Sequence, residues 1–111
     1  MSRVFVSQVP ARWDRQEGCW REKFDLSPAE EHGELIALLP YGNVADDADT
    51  VKRQIADGLA SFDASKDSVL LLGDPVLIAC IGAFMGERGE DFVTLKYDRR
   101  SSRYVRRRIA V

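Results

Sequence analysis

The chain has 111 residues, 45% of them hydrophobic and 31% charged, with a formal net charge of −2. That length suits one domain able to bury a single core without staples, and that balance excludes a disordered tail. The charge is unevenly placed: Lys96–Arg108 holds seven basic residues against Asp98 alone, a local +6 that leaves −8 on the rest.

Val4–Val9 (VFVSQV) reads as a strand that Pro10 ends. Trp20–Leu26 alternates, with Trp20, Phe24 and Leu26 on one parity, and the polar link Asp14–Gly18 predicts an antiparallel hairpin between the two segments. Ser27-Pro28-Ala29-Glu30 has the form of a capping box with proline at the first helical position, and Gly33 stops the helix after one or two turns. Glu34–Leu39 is a short apolar strand closed by Pro40-Tyr41-Gly42-Asn43. Asp46, Asp47 and Asp49 then precede an amphipathic helix from about Thr50 to Phe62, with Val51, Ile55, Leu59 and Phe62 on one stripe. Carboxylates suit the positive end of that helix dipole.

Ser61–Asp67 links to the apolar run Val69–Leu72, which Gly73-Asp74-Pro75 breaks. Asp74 is suited to cap the helix Pro75–Arg88, because its carboxylate accepts orphan N–H groups and Pro75 needs no N–H bond. Gly86–Glu90 breaks the chain again, Phe92–Tyr97 alternates, and a last strand lies near Tyr104–Val111. The order predicts a single α/β domain over 1–111, of two or three layers. Its central sheet is mostly parallel (β-α-β-α-β) with antiparallel edge hairpins.

The Pro75–Arg88 helix is apolar nearly all round, so the pattern predicts cover on both sides, from the chain itself or from a second subunit. Gly82 and Gly86, four apart, permit close backbone approach, and a homo-oligomer through this helix is expected. Val69–Gly86 carries a single charge over 18 residues, yet Asp74 and Pro75 interrupt it and the helix proper is too short to cross a bilayer. Cys19 and Cys80 match no metal-ligand spacing, and with no signal-peptide core at the N-terminus the reading is a reducing cytoplasm. A short echo links Trp13-Asp14-Arg15 before Trp20 with Tyr97-Asp98-Arg99 before Tyr104; both are predicted hairpin turns, and the similarity reads as chance.

Several blocks together carry a resemblance: Val9-Pro10-x-Arg12-Trp13-Asp14, Leu26-Ser27-Pro28-Ala29, Gly33-Glu34, Leu39-Pro40, Leu72-Gly73-Asp74-Pro75 and Leu95-Lys96-Tyr97-Asp98-Arg99. With these the chain resembles a group of short, functionally uncharacterised proteins encoded by tailed bacteriophages and prophages. The resemblance implies expression in the cytoplasm of a bacterial host and transfers no catalytic residue.

The strongest functional candidate is the C-terminal hairpin. A register pairing Tyr97 with Val105, Leu95 with Arg107 and Val93 with Ile109 keeps apolar residues mostly together. Its opposite face then carries Lys96, Tyr104, Arg106 and Arg108, a predicted surface for nucleic acid or an anionic protein, with tyrosine available for base stacking. The competing structural reading is an edge strand whose charges prevent aggregation or pair with the acidic remainder. Gly73 and Asp74, at the carboxyl end of a predicted parallel strand, form an alternative ligand turn, with Tyr41–Val44 expected to line its pocket. No phosphate-binding glycine motif accompanies it, and Asp74 would repel an anion. His32 among glutamates reads as solvent-facing, Asp46, Asp47 and Asp49 as a capping cluster without a calcium-loop pattern, and Cys19 as a lone thiol without catalytic partners.

The sequence thus points to an accessory protein that acts by binding rather than catalysis and needs no cofactor or metal. The alternatives are a ligand-binding or enzymatic domain using the Gly73-Asp74-Pro75 turn, and a self-assembling structural component.

Overall fold

The computed structural model describes residues 2–22, 25–39 and 47–111. The chain order is β1 (Arg3–Gln8), β2 (Ala11–Asp14), β3 (Cys19–Glu22), a 3-10 segment (Ser27–His32), β4 (Glu34–Leu39), α1 (Ala48–Gly58), β5 (Ser68–Leu70), α2 (Pro75–Arg88), β6 (Phe92–Asp98) and β7 (Arg103–Ile109). Five strands form one sheet in the order β4-β1-β5-β6-β7, and β2-β3 forms a separate two-stranded arm. The first four strands of that order run parallel, and β7 returns antiparallel to β6. The mixed α/β class with a mostly parallel sheet is as the sequence predicts.

β1 differs from the expectation. It pairs with β4 on one side and β5 on the other, rather than with Trp20–Leu26. Val4, Phe5 and Val6 are all buried, with Phe5 in one core and Val4 and Val6 in the other. An unbroken apolar run that must be covered on both faces belongs inside a parallel sheet, not in a hairpin. The hairpin forms later, between Ala11–Asp14 and Cys19–Glu22. Lys23, Phe24 and the Pro40–Asp46 stretch fall outside the described residues, and with them the predicted turn Pro40–Asn43.

One face of the sheet carries both long helices. Phe5, Val69 and Phe92 meet Val51, Ile55, Leu59 and Phe62 of α1 and its C-terminal turn, and Leu77, Ile81 and Met85 of α2. Each such side chain withdrawn from water contributes on the order of 1.5–3 kcal/mol. The predicted α1 stripe is therefore buried, although the helix stops at Gly58 and Phe62 reaches Phe5 from the turn beyond, ring centroids 5.5 Å apart. Asp47 caps α1, accepting from the Asp49 N–H at 3.1 Å and the Thr50 hydroxyl at 2.7 Å.

The other face carries the 3-10 segment, whose Leu26 and Ala29 pack with Val4, Val6, Leu70, Leu95 and Tyr104. The expected capping box does not form. Ser27 instead gives its N–H and hydroxyl to Asp25, each at 2.9 Å, so the aspartate does the capping from outside the segment. Gly33 ends it at φ +145°, where an added Cβ would lie 2.5 Å from the Ser2 carbonyl oxygen.

α2 has the predicted bounds and the predicted cap, with Asp74 accepting from the Val76 N–H at 2.8 Å and Gly89 closing the helix in the left-handed region. The expectation of cover on both sides is not met among the described residues. Leu77, Ile81 and Met85 face the sheet, whereas Val76, Ala79, Gly82, Ala83 and Gly86 are exposed. Apart from Val76 the outward side is made of small residues, and it presents little apolar area per position. Among the described residues no helix is long and apolar enough to cross a membrane. Cys19 and Cys80 are free thiols, the first exposed and the second half-buried.

Candidate functional site: the carboxyl edge and the basic ribbon

The crossover after β1 uses the 3-10 face and those around β5 use the α1–α2 face, so the winding reverses between β1 and β5. In open α/β sheets the space outside the carboxyl ends at such a reversal is where ligands lie. Here Gln8 fills it. Its side chain packs on Gly73, where a Cβ would sit 2.5 Å from Oε1, and Oε1 accepts from the Asp74 N–H at 3.3 Å. Gly73, at φ +94°, is needed for that close approach. Gly73 and Asp74 are thus engaged in packing and capping, and Tyr41–Val44, the expected pocket lining, lie outside the described residues.

The described concavity at this edge is one strand over, lined by Asp25, Pro28, Leu72, Tyr97, Arg99, Ser102 and Tyr104. Ser7 fixes the strand-to-helix connection beside it. The Leu72 N–H donates to Ser7 Oγ at 2.6 Å, and the same hydroxyl donates to the Leu72 carbonyl.

The β6–β7 ribbon extends past its neighbour. Pairing between β5 and β6 ends at Val69 with Thr94, whereas the β6–β7 ladder continues to Asp98 with Arg103. Its register is one residue away from the predicted one: Tyr97 faces Tyr104, Lys96 faces Val105, Leu95 faces Arg106, Thr94 faces Arg107 and Val93 faces Arg108. The slip exchanges faces. Tyr104 goes inward with Leu95, because its ring fills more of the core beside the 3-10 segment than Val105 would.

The four predicted contact residues are therefore not one surface. Tyr104, Arg106 and Arg108 share the face that bears Leu95, while Lys96 is on the opposite face with Arg107. Tyr104 is buried, so its ring is not open for stacking; Tyr97, at a centroid distance of 5.2 Å, is the exposed aromatic ring. Arg108 is held by Asp91 at 3.0 Å, and Asp91 also accepts from the Val111 N–H. Arg103 pairs with Glu31 at 2.6 Å, which lowers the glutamate's pKa through that charge-assisted hydrogen bond. His32 is not solvent-facing: its Nε2–H donates to the Tyr104 carbonyl at 2.7 Å, tying the 3-10 segment to β7. Lys96, Arg99, Arg100, Arg106 and Arg107 are exposed and have no carboxylate partner among the described residues.

Two features escaped the sequence reading. The echo between Trp13-Asp14-Arg15 and Tyr97-Asp98-Arg99 is structural. Each aspartate ends its strand and accepts the N–H two residues on, Gln16 at 2.9 Å and Arg100 at 3.1 Å. Each aromatic meets its cross-strand partner edge to face, Trp13 with Trp20 at 5.6 Å and Tyr97 with Tyr104 at 5.2 Å. Each four-residue loop closes in the left-handed region, at Gly18 and at Ser102. The second feature is exposure: the tyrosine pair is half covered by the domain, but Trp13 and Trp20 are 51% and 41% exposed. The spacing of the echo carries the first signal; the second has none, since parity alone does not say that the arm leaves the sheet.

Among the described residues no cluster of histidine, cysteine and carboxylate side chains gathers as a metal site. A family model described as Phage Pam3 gp32-like protein matches residues 2–111. Comparison with curated proteins gives no match, and neither does comparison with solved structures.

Proposed function

The chain belongs to the Phage Pam3 gp32-like protein family, and we propose that it is a phage accessory protein that binds an anionic partner, nucleic acid or a nucleoprotein, in the host cytoplasm. The contact is made by the β6–β7 ribbon and its turn. One observation carries this reading: Lys96, Arg99, Arg100, Arg106 and Arg107 stand exposed without a carboxylate partner among the described residues, in a protein whose remainder is acidic. Among the described residues, pairing with the chain's own acids accounts for Arg103 and Arg108 and not for these five. Because β7 is the sheet edge, its cations project from both faces, with Arg106 on one and Arg107 and Lys96 on the other. A two-stranded ribbon so charged suits a groove with phosphates on either side. Tyr97 and the Trp13–Trp20 pair supply exposed aromatic area near the same carboxyl edge, from which the β2–β3 arm departs.

The test is binding of labelled duplex DNA and RNA by the whole chain at low salt. R106E/R107E is expected to weaken affinity at least about tenfold, each lost phosphate contact removing a similar increment for every sequence. K52E/R53E, an equal charge reversal on the exposed side of α1, is expected to leave it nearly unchanged. Equal losses in both variants would reduce the effect to net charge and overturn the assignment.

A second reading, self-association, is favoured by the outward side of α2, where Val76 is 65% exposed beside Ala79, Gly82, Ala83 and Gly86. Sedimentation equilibrium separates the two. On this reading the mass rises with concentration and A83E returns it to that of one chain.

A further inference from the structure

We propose that the concavity between the 3-10 segment and the tip of the β6–β7 ribbon binds a small planar anion, an aromatic or heteroaromatic ring bearing a carboxylate or phosphate. This inference goes beyond the nucleic-acid reading, with which it shares Arg99 and Tyr97. Four observations carry it. The space, about 670 Å3, is within the range of small-molecule sites. It opens at the carboxyl ends of the parallel strands, beside Leu72 after β5 and Tyr97 near the end of β6.

The third observation concerns Tyr104. The residue is 7% exposed, and its hydroxyl, open to solvent, has no hydrogen-bond partner among the described residues. Burial, together with the negative fields of Tyr97 and Asp25, raises its pKa above the ordinary 10. Tyr104 lines the concavity together with both neighbours, and its hydroxyl stays protonated, a donor at neutral pH. The hydroxyl is reached by solvent, so a ligand acceptor exchanges for water there and gains a fixed donor.

The fourth is the charge balance. Asp25 spends one oxygen on the Ser27 N–H and the other on the Ser27 hydroxyl. Arg99, the cation at the rim, has no carboxylate partner among the described residues and is available to an incoming anion. The shape fixes the rest of the ligand. Exposed Tyr97, held edge to face by Tyr104, supplies an aromatic wall, and Pro28 and Leu72 apolar ones, so a flat ring fits against Tyr97 with its anionic end toward Arg99.

The experiment is an NMR titration of the whole chain with three probes: AMP, benzoate and benzyl alcohol, the last lacking the anion. Saturable shifts at the amides of Leu72, Arg99, Ser102 and Tyr104 are expected with AMP or benzoate, and weaker ones with benzyl alcohol. Which anion binds more tightly distinguishes a nucleotide-like ligand from an aromatic acid. Y104F removes only the hydroxyl and keeps the ring packed. It should weaken the favoured probe about tenfold, as expected for one hydrogen bond to a charged group, without lowering the melting temperature. R99A should erase the preference for the anion over benzyl alcohol. Absence of saturable shifts at these amides with all three probes up to millimolar concentration, or equal affinity in Y104F, would overturn the proposal.

Discussion

Asp67 holds the start of the sheet together. Its buried carboxylate accepts the Arg3 N–H at 3.0 Å, the Asp63 N–H at 2.9 Å and the Arg3 guanidinium at 2.9 Å. Burial alone would push its pKa up, but the N–H of Asp63 and the two groups of Arg3 outweigh it and hold the pKa below the ordinary 3.8. D67A strands two backbone donors and a half-buried guanidinium, and is expected to cost about 3 kcal/mol at neutral pH. Because the folded-state pKa is depressed, this stability is fully present above the unfolded value of about 3.9 and lost as pH falls through the folded value. Chemical denaturation of both proteins from pH 7 downward checks it: the gap should narrow only below about pH 4. A gap constant to lower pH would refute the role. None of this was legible beforehand, since the sequence marks Asp67 only as the end of a polar link, and its partner Arg3 is 64 residues away.

At the level of elements, local chemistry was readable wherever it is self-contained. Asp74-Pro75 and Gly89 bound α2 through contacts within a few residues, and the sequence carries those contacts directly. The C-terminal hairpin lies one residue from the predicted register because that register is decided by what covers it. Tyr104 and Val105 are both apolar enough to point inward, and only the surroundings made by Leu26, Ala29 and Leu95 choose the larger ring. Truncation reads the register out. Y104A should cost about 3 kcal/mol and V105A under about 1 kcal/mol; the reverse order of costs would restore the slipped pairing. An aromatic pair one step inside an aspartate-led loop stabilises a ribbon locally, which explains how the β2–β3 arm persists with its tryptophans uncovered.

For the whole molecule, the order of strand and helix patterns was enough to predict a mostly parallel sheet, because crossovers between short apolar runs leave few alternatives. What it missed was the place of β1. A segment near the N-terminus that pairs with strands about 30 and 65 residues later cannot be located from local spacing, although its run of three buried apolar residues is the mark of an interior strand. The same non-local pairing determines which basic residues are free. Arg103 and Arg108 are neutralised by Glu31 and Asp91, the first brought in by the 3-10 segment and the second from the turn before β6. Among the described residues five cations of the ribbon and its turn are left without a carboxylate partner, and the proposed contact is built on them.

The most direct measurement is therefore the salt dependence of affinity for duplex DNA and RNA. Plotted as the logarithm of the association constant against the logarithm of salt concentration, the whole chain should give a line of slope between about −2 and −4, reduced in magnitude by about 2 in R106E/R107E. A flat line, or an unchanged slope in that variant, would contradict the account.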